Sequence, residues 1–243
     1  MVLLSKRLAL IARLVPAGSK LADIGSDHAL LPVFLCQQGT VVSAVAGELN
    51  PGPYAAAQKQ VTDAGLSDRI EVRRGDGLAV IAPGEADVVT IAGMGGSLIA
   101  SILSAGEAKL TGTSRLILQP NVGEEQVRRW LFEHGWALAD EYIIEEDGKI
   151  YEVLVAERRS DAEVFNAALY EEAKQGLGFK MGPYLLKNPS PVFVSKWESE
   201  LVKLKRIVRQ LGESELEASA DKQAEFQAEI ADIERVLAGV GRN

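Results

Sequence analysis

The chain has 243 residues, with 26 lysines and arginines against 34 aspartates and glutamates, and a formal net charge of −8. Hydrophobic residues make up 47% and charged residues 25%, a balance that excludes a chain disordered throughout or collagen-like. Apolar runs are far shorter than the roughly 20 residues that cross a bilayer, and Arg13 interrupts the first of them, so we expect a cytoplasmic protein with no membrane span and no signal peptide.

Residues 1–158 alternate short β-branched runs with helical stretches, which predicts an α/β fold with helices on both faces of a sheet. An amphipathic helix is predicted over Leu4–Leu14. The predicted strands are Ser19–Ile24, Val41–Glu48, Ile70–Arg74, Ala86–Ala92, Arg115–Leu118, Ala137–Ile144 and Ile150–Glu157. The helices predicted between them are His28–Gln38, Pro53–Ala64, Ser97–Ser104 and Glu124–His134. Glu146-Asp147-Gly148 is a hairpin turn signal, so the last strand is expected to run antiparallel to the rest.

Residues 159–243 carry no strand signal and are predicted to form a second, helical domain. A helix over Asp161–Gln175 precedes a connector punctuated by glycine and proline, from Gly176 to Pro191. Apolar residues then recur with coiled-coil spacing in two runs, Trp197–Leu211 and Phe226–Leu237, on either side of a break at Gly212–Ser214. This spacing is typical of two helices paired as a hairpin, and it does not choose between a monomer and a weak dimer.

The first predicted strand leads into Asp23-Ile-Gly-Ser-Asp-His28, at the carboxyl edge where doubly wound sheets bind ligands. Gly25 suits a tight turn because it has no Cβ. A dinucleotide loop would carry G-x-G-x-x-G, whereas Asp23 and Asp27 would repel a pyrophosphate and attract a cation. S-adenosylmethionine supplies a sulfonium and an ammonium group and has no phosphate, so the loop favours this cofactor. The alternative is that Ser26 or Asp27 only caps the following helix.

Acidic residues also follow the second and third predicted strands. Glu48 lies 23 residues after Gly25, close to the separation at which a carboxylate accepts hydrogen bonds from a ribose diol. Asp76 can accept a hydrogen bond from adenine N6, and the flanking Gly75 and Gly77 let the backbone approach a flat ring. The structural alternatives are a solvated carboxylate at a strand end and an ordinary turn.

Small or amide-bearing residues follow the fourth and fifth strands. Ala92-Gly-Met-Gly-Gly96 leaves room for a substrate beside a methyl donor, and Met94 can pack on a ring. Gln119-Pro-Asn121 places two amides where they can hydrogen-bond the Watson–Crick edge of a flipped base. For each run the alternative is a simple turn.

Taken in order, the motifs DIGSDHA, GELNPGP, GDGL, IAGMGG and ILQPN resemble those of the bacterial tRNA (adenine-22-N1)-methyltransferases, the TrmK family. The similarity extends to LSKRL near the start of the chain and to the GPYLLKNPSPVF connector. Asp27 and Ala29 replace two glycines of the general methyltransferase loop, in agreement with this family. The resemblance implies a Rossmann-like class I methyltransferase domain with a C-terminal coiled coil. It further implies that S-adenosylmethionine is used to methylate N1 of an adenine in the D-arm region of tRNA.

The residue chemistry and the resemblance together assign roles to positions of this chain. The predicted cofactor contacts are Asp23, Gly25, Ser26, Asp27, His28, Glu48, Leu49, Asn50, Gly75, Asp76, Gly77, Ala92, Gly93 and Met94. The predicted catalytic residues, which would stabilise positive charge as it moves onto the adenine, are Asp27, Gln119 and Asn121. The transfer needs no nucleophilic side chain and no metal, and Cys36, the only cysteine, cannot form a cysteine zinc site.

The acidic total, which ordinarily argues against a nucleic-acid partner, hides an uneven distribution. Lys174–Arg209 holds eight basic and two acidic residues, whereas residues 210–243 hold three basic and eight acidic residues. The basic segment predicts a surface for tRNA phosphates, and the alternative is charge pairing between the two antiparallel helices. The predicted RNA-binding residues are Lys6, Arg7, Lys180, Lys187, Lys196, Lys203, Lys205, Arg206 and Arg209. Two other functions stay open, namely a class I methyltransferase acting on a small molecule or protein, and a non-catalytic assembly protein that senses S-adenosylmethionine.

Overall fold

A computed structural model describes residues 2–212 and 217–240. At its centre lies a seven-stranded sheet with the order β3-β2-β1-β4-β5-β7-β6. The strands are β1 Ser19–Ile24, β2 Val41–Glu48, β3 Ile70–Arg74, β4 Val88–Gly95, β5 Arg115–Val122, β6 Trp136–Glu146 and β7 Lys149–Arg158. Strands β1 to β5 pair in parallel, and β7 runs antiparallel to both of its neighbours, β5 and β6. The prediction of a mostly parallel sheet whose last strand is antiparallel is confirmed.

Helices cover both faces of this sheet. They are α1 Lys6–Leu14, α2 Leu30–Gln37, α3 Pro51–Asp63, α4 Gly96–Ala105, α5 Glu124–Glu133, α6 Ala162–Glu172, α7 Gln175–Met181, α8 Pro183–Lys187, α9 Pro191–Gly212 and α10 Glu217–Val240. Alternate residues of a strand point to opposite faces. On β5, Leu116 and Leu118 pack with α4 and α5, while Ile117 packs in the core that α1, α2 and α3 cover.

The C-terminal helices form a third apolar core of their own. Trp197 and Leu204 on α9 are buried in it together with Ile233 on α10, and the two helices pack as an antiparallel hairpin. The predicted connector contains two short helices that the sequence did not predict, α7 and α8, and Phe179 and Met181 on α7 are buried. Of the predicted break, Gly212 belongs to α9, and residues 213 and 214 lie outside the described part. Within the described residues no helix is long and apolar enough to cross a membrane.

Candidate active site

The loop after β1 has an unusual backbone that places it on the carboxyl edge of the sheet. Gly25 has φ of +69°, and a methyl group added there would come within 2.1 Å of Met94 Cε. Three successive residues, Asp27, His28 and Ala29, also have positive φ, at 42°, 66° and 54°. Left-handed backbone costs a residue with a Cβ about 1–2 kcal/mol, so this loop is held in place by its surroundings.

Asp23 supports that loop from below. One carboxylate oxygen accepts a hydrogen bond from Ser26 Oγ at 2.6 Å, and the other accepts from Thr90 Oγ1 on the neighbouring strand β4. Burial raises the pKa of Asp23, and the two hydroxyl donors only partly offset this effect. Asp23 and Ser26 are both buried, so they shape the loop, whereas Asp27 and His28 are exposed on it.

Glu48 is the last residue of β2 and lies next to the same loop. It is a buried acidic residue, and no other residue of this strand is acidic. Its Oε1 accepts a hydrogen bond from the backbone N–H of Asp27 at 2.5 Å, which leaves Oε2 for another donor. Burial raises the pKa of Glu48, and the N–H of Asp27 opposes that shift. The next two residues, Leu49 and Asn50, are exposed at the same edge.

A cleft of about 420 Å³ opens between the end of β3 and helix α4. Asp76 lies at its rim with an exposed carboxylate, and the backbone turns there into a short 3₁₀ helix, Gly77–Val80. Leu98 and Ile102 on α4 form its apolar wall, and Leu98 is 53% exposed. A carboxylate beside apolar walls is an arrangement that suits a purine ring with an exocyclic amine.

The end of β4 contains a bulge at Gly93, which has φ of +79°. The bulge leaves the backbone N–H and C=O of Gly93 without ladder partners. Side chains of β5 supply them: the N–H donates to Gln119 Oε1 at 3.0 Å, and Asn121 Nδ2 donates to the C=O at 2.8 Å. The run Gln119-Pro-Asn121 therefore belongs to the strand and supports the bulge.

Of the two amides predicted to contact a base, only Asn121 is exposed at this edge of the sheet. Gln119 is 0% exposed, and its Nε2 donates within the protein, to Pro120 O at 2.8 Å and to Asn121 Oδ1 at 3.2 Å. The prediction that Gln119 hydrogen-bonds the edge of a base is therefore corrected, because the side chain is buried and forms its hydrogen bonds within the protein, at the bulge. Arg7, predicted on the RNA surface, donates from Nη1 to Gln119 Oε1. Arg7 and Gln119 are 112 residues apart in the sequence, so no local motif could predict this hydrogen bond.

Most of the predicted RNA-binding lysines form ion pairs within the protein. Lys196 pairs with Glu124 on α5 at 2.6 Å and with Glu152 on β7 at 2.7 Å, so its charge links α9 to the sheet, and its contact with RNA stays a prediction. Four others are paired with acids on the protein surface: Lys180 with Glu229, Lys187 with Glu172, Lys203 with Glu200 and Lys205 with Glu234. Arg206 and Arg209 are exposed and form no ion pair with any described residue, and Lys6 is exposed on α1.

A buried ion-pair cluster that no sequence pattern predicted joins the helical part to the sheet. Arg128 on α5 is 0% exposed and donates to Glu141 on β6 at 2.6 Å and to Glu152 on β7. Its Nη1 also donates to the backbone carbonyls of Phe179 and Lys180 on α7, both at 3.2 Å. In residues 2–212 and 217–240, no three histidine, cysteine, aspartate or glutamate side chains are grouped so as to hold a metal ion.

Comparisons with known proteins agree with this geometry. The family model described as tRNA (adenine(22)-N(1))-methyltransferase, TrmK, matches residues 21–235. The tRNA (adenine(22)-N(1))-methyltransferase of Bacillus subtilis is 46% identical over 96% of this chain and 95% of its own length. The crystal structure of the B. subtilis m1A22 tRNA methyltransferase superposes with a TM-score of 0.92 at 44% identity, over 98% of this chain and 100% of that one. Sp1610 of Streptococcus pneumoniae, solved in complex with S-adenosyl-L-methionine, superposes with a TM-score of 0.82 at 40% identity, over 97% and 100%.

Proposed function

The chain belongs to the tRNA (adenine(22)-N(1))-methyltransferase family, and from this premise we propose how its residues carry out the reaction. It is an S-adenosylmethionine-dependent enzyme that methylates N1 of adenine 22 in tRNA. The observation that supports the residue roles below is the convergence, on one edge of the sheet, of the Gly25 loop, Glu48, Asp76 and the Gly93 bulge.

The residues at this edge fit S-adenosylmethionine in charge and in shape. Glu48 has one free carboxylate oxygen beside the loop, where it can accept from the ribose diol. Asp76 and the apolar wall formed by Leu98 suit the adenine and its N6 amine. The exposed carboxylate of Asp27 can face the cationic part of the cofactor, and Gly25 leaves room because it carries no Cβ. Contacts from the remaining predicted positions of the same loops, namely His28, Leu49, Asn50, Gly75, Gly77, Ala92 and Met94, belong to this proposal.

The bound cofactor supplies an electrophilic methyl group. On the acceptor side Asn121 presents an exposed amide at the end of β5, and Asp27 presents a carboxylate, which can stabilise the positive charge that the adenine ring gains. N1 lies on the pairing edge of adenine, so the base must leave its stack before it reacts. Aligning donor and acceptor can contribute roughly 7–11 kcal/mol, and this alignment is the main task of the protein.

We place the tRNA backbone on the exposed basic side of the helical hairpin and on the start of α1. The Lys205–Glu234 pair at 2.6 Å has side chains 53% and 50% exposed, and such surface pairs contribute only about 0–1 kcal/mol. A tRNA phosphate can therefore replace Glu234 as the partner of Lys205 at little cost. Arg206 and Arg209 form no ion pair with a described residue, so a phosphate can bind them without replacing such a partner.

The domain division is also proposed here, with residues 1–158 as the methyltransferase domain and residues 159–243 as the helical domain. Tyr170 and Phe179 of the second part pack into the core that covers the sheet, so the two share an interface. A cytoplasmic location follows from a tRNA substrate.

The proposal is tested by transfer of labelled methyl groups from S-adenosylmethionine to an unmodified tRNA transcript. The matched control is the same transcript with guanine in place of adenine 22. We expect label in the first transcript and none in the second. Equal labelling of both, or labelling only of protein or small molecules, would contradict the assignment.

The site residues are tested separately by turnover on the unmodified transcript. We expect Asp27→Ala and Asn121→Ala to lower the turnover number. Asp68→Ala, just before β3 at the opposite edge of the sheet, is the control that should leave it unchanged. If Asp27→Ala and Asn121→Ala both keep wild-type turnover, the site is misplaced.

A further inference from the structure

Arg7 lies at the catalytic edge of the sheet and not on the outer surface of α1. Its guanidinium carbon is 5.3 Å from the centre of the Tyr151 ring on β7. A Cβ built on Gly93 would lie 3.6 Å from Arg7 Nη1, and the same nitrogen donates to Gln119 Oε1. The guanidinium is therefore enclosed between an aromatic face, the Gly93 bulge and a buried amide.

The backbone of Arg7 is held as firmly as its side chain. The N–H groups of Lys6 and Arg7 both donate to the carboxylate of Glu146, which lies at the end of β6. Ser5 caps the same turn, with its Oγ accepting from the N–H of Leu8 at 3.2 Å. The start of α1 is thus fixed on the β6–β7 hairpin, 139 residues further along the chain.

The hydrogen bonds of Arg7 continue through Gln119 to the exposed amide of Asn121. Arginine can only donate, so the Gln119 atom that faces it is Oε1, which the N–H of Gly93 also requires. Nε2 of Gln119 must then face acceptors, and it donates to Asn121 Oδ1. Asn121 Nδ2 in turn donates to the carbonyl of Gly93. One lone pair of Oδ1 and one N–H of Nδ2 are left on Asn121, with their directions set by this chain of bonds.

We propose that Arg7 is a positioning residue for the methyl acceptor. It holds Gln119 so that Asn121 presents a fixed acceptor and donor to the edge of the target adenine. This inference rests on the proposed function. Arg7 acts through Gln119 and not on the base, because a cation against the ring would oppose the positive charge that methylation brings to it.

The test compares Arg7→Met with Arg13→Met, which removes the same charge from the exposed last turn of the same helix without touching Gln119. Four quantities are measured for each: the single-turnover rate at saturating tRNA and S-adenosylmethionine, the Kd for tRNA, the Kd for S-adenosylmethionine, and Tm. We expect Arg7→Met to lower the single-turnover rate roughly 10- to 100-fold, since small misplacements of reacting groups cost about that much. The Kd for S-adenosylmethionine and Tm should stay at wild-type values, and Arg13→Met should keep the wild-type rate.

A second variant, Gln119→Glu, keeps an acceptor for Arg7 and Gly93 but removes the donors that orient Asn121. It should lower the single-turnover rate while the Kd for tRNA is unchanged. If Arg7→Met weakens tRNA binding alone and keeps the saturating rate, Arg7 is only a phosphate ligand and the proposal is overturned. A fall in Tm together with lost cofactor binding would show a purely structural role and also overturn it. Failure of the proposed function shows in the wild-type enzyme, as absent methylation of adenine 22, before any variant is made.

Discussion

Replacing Arg128 with methionine removes the cation from the centre of the buried cluster between the sheet and the helical part. Arg128 is 0% exposed and donates to Glu141 at 2.6 Å, to Glu152, and to two backbone carbonyls of α7. Methionine has a similar length and can fill much of the space. The change therefore tests the charge more than the packing.

We expect most of the lost free energy of unfolding to arise from the unpaired carboxylate of Glu141. Glu152 keeps Lys196 at 2.7 Å, so its charge stays paired. Glu141 keeps only the N–H of Tyr184, at 3.0 Å, while its side chain is fully buried. Breaking a buried pair in this way costs about 3–5 kcal/mol, which for a chain of this length lowers Tm by roughly 10 °C.

The assay is urea denaturation of the full chain, with Arg128→Met compared with the double variant Arg128→Met, Glu141→Gln. Glutamine removes the unpaired charge and can still accept from the N–H of Tyr184, so we expect the double variant to regain about half of the lost stability. Arg129→Met, on the exposed side of the same helix, is the control.

The pH dependence gives an independent check. Burial raises the pKa of Glu141 more than Arg128 lowers it, and loss of Arg128 should raise it further. Between the ordinary pKa of a glutamate and the raised pKa of Glu141, the folded variant binds a proton that the unfolded chain releases. Its stability therefore falls as the pH rises through this range. The loss in free energy of unfolding that Arg128→Met causes, relative to wild type, should be smaller at pH 6 than at pH 8. A deficit below 1 kcal/mol, or one that is the same at both pH values, would refute the electrostatic reasoning.

Three further predictions concern the proposed site and the RNA surface. Glu48→Gln should weaken S-adenosylmethionine binding roughly 10-fold by calorimetry, and wild-type affinity should fall as pH is lowered toward the raised pKa of Glu48. Unchanged affinity would exclude the ribose contact. His28→Gly should raise the free energy of unfolding by about 0.5–1 kcal/mol without cofactor, because φ of +66° suits glycine and the side chain is exposed; no gain in urea denaturation would show an unstrained loop. The third variant replaces the outer basic residues of α9 with glutamate, namely Lys203, Lys205, Arg206 and Arg209. It should lower tRNA affinity at least about 10-fold and make that affinity less dependent on salt, while cofactor affinity, the control, stays unchanged. Unchanged tRNA affinity would show that the hairpin is not the tRNA-binding surface.

Local patterns in the sequence were sufficient for most of the fold. Alternation of β-branched runs and helical stretches predicts the α/β order, and the Asp147-Gly148 turn predicts that the last strand is antiparallel. Helices α7 and α8 were not predicted, because the glycines and prolines of this connector give no helical pattern. Burial of Phe179 and Met181 against distant helices favours helix there, and no local pattern reports that burial.

The sequence by itself predicted which loops would form the proposed cofactor side of the site. Carboxyl ends of parallel strands share one edge of a sheet, so a parallel sheet places the loops that hold Gly25, Glu48, Asp76 and Gly93 at the same edge, as the structure shows. Only the tertiary structure shows which side chains of the proposed acceptor side are exposed. Residue type does not distinguish a buried Gln119 from an exposed Asn121. It also gives no sign that Arg7 reaches Gln119, because bonds between positions over 100 residues apart depend on packing and leave no local periodicity.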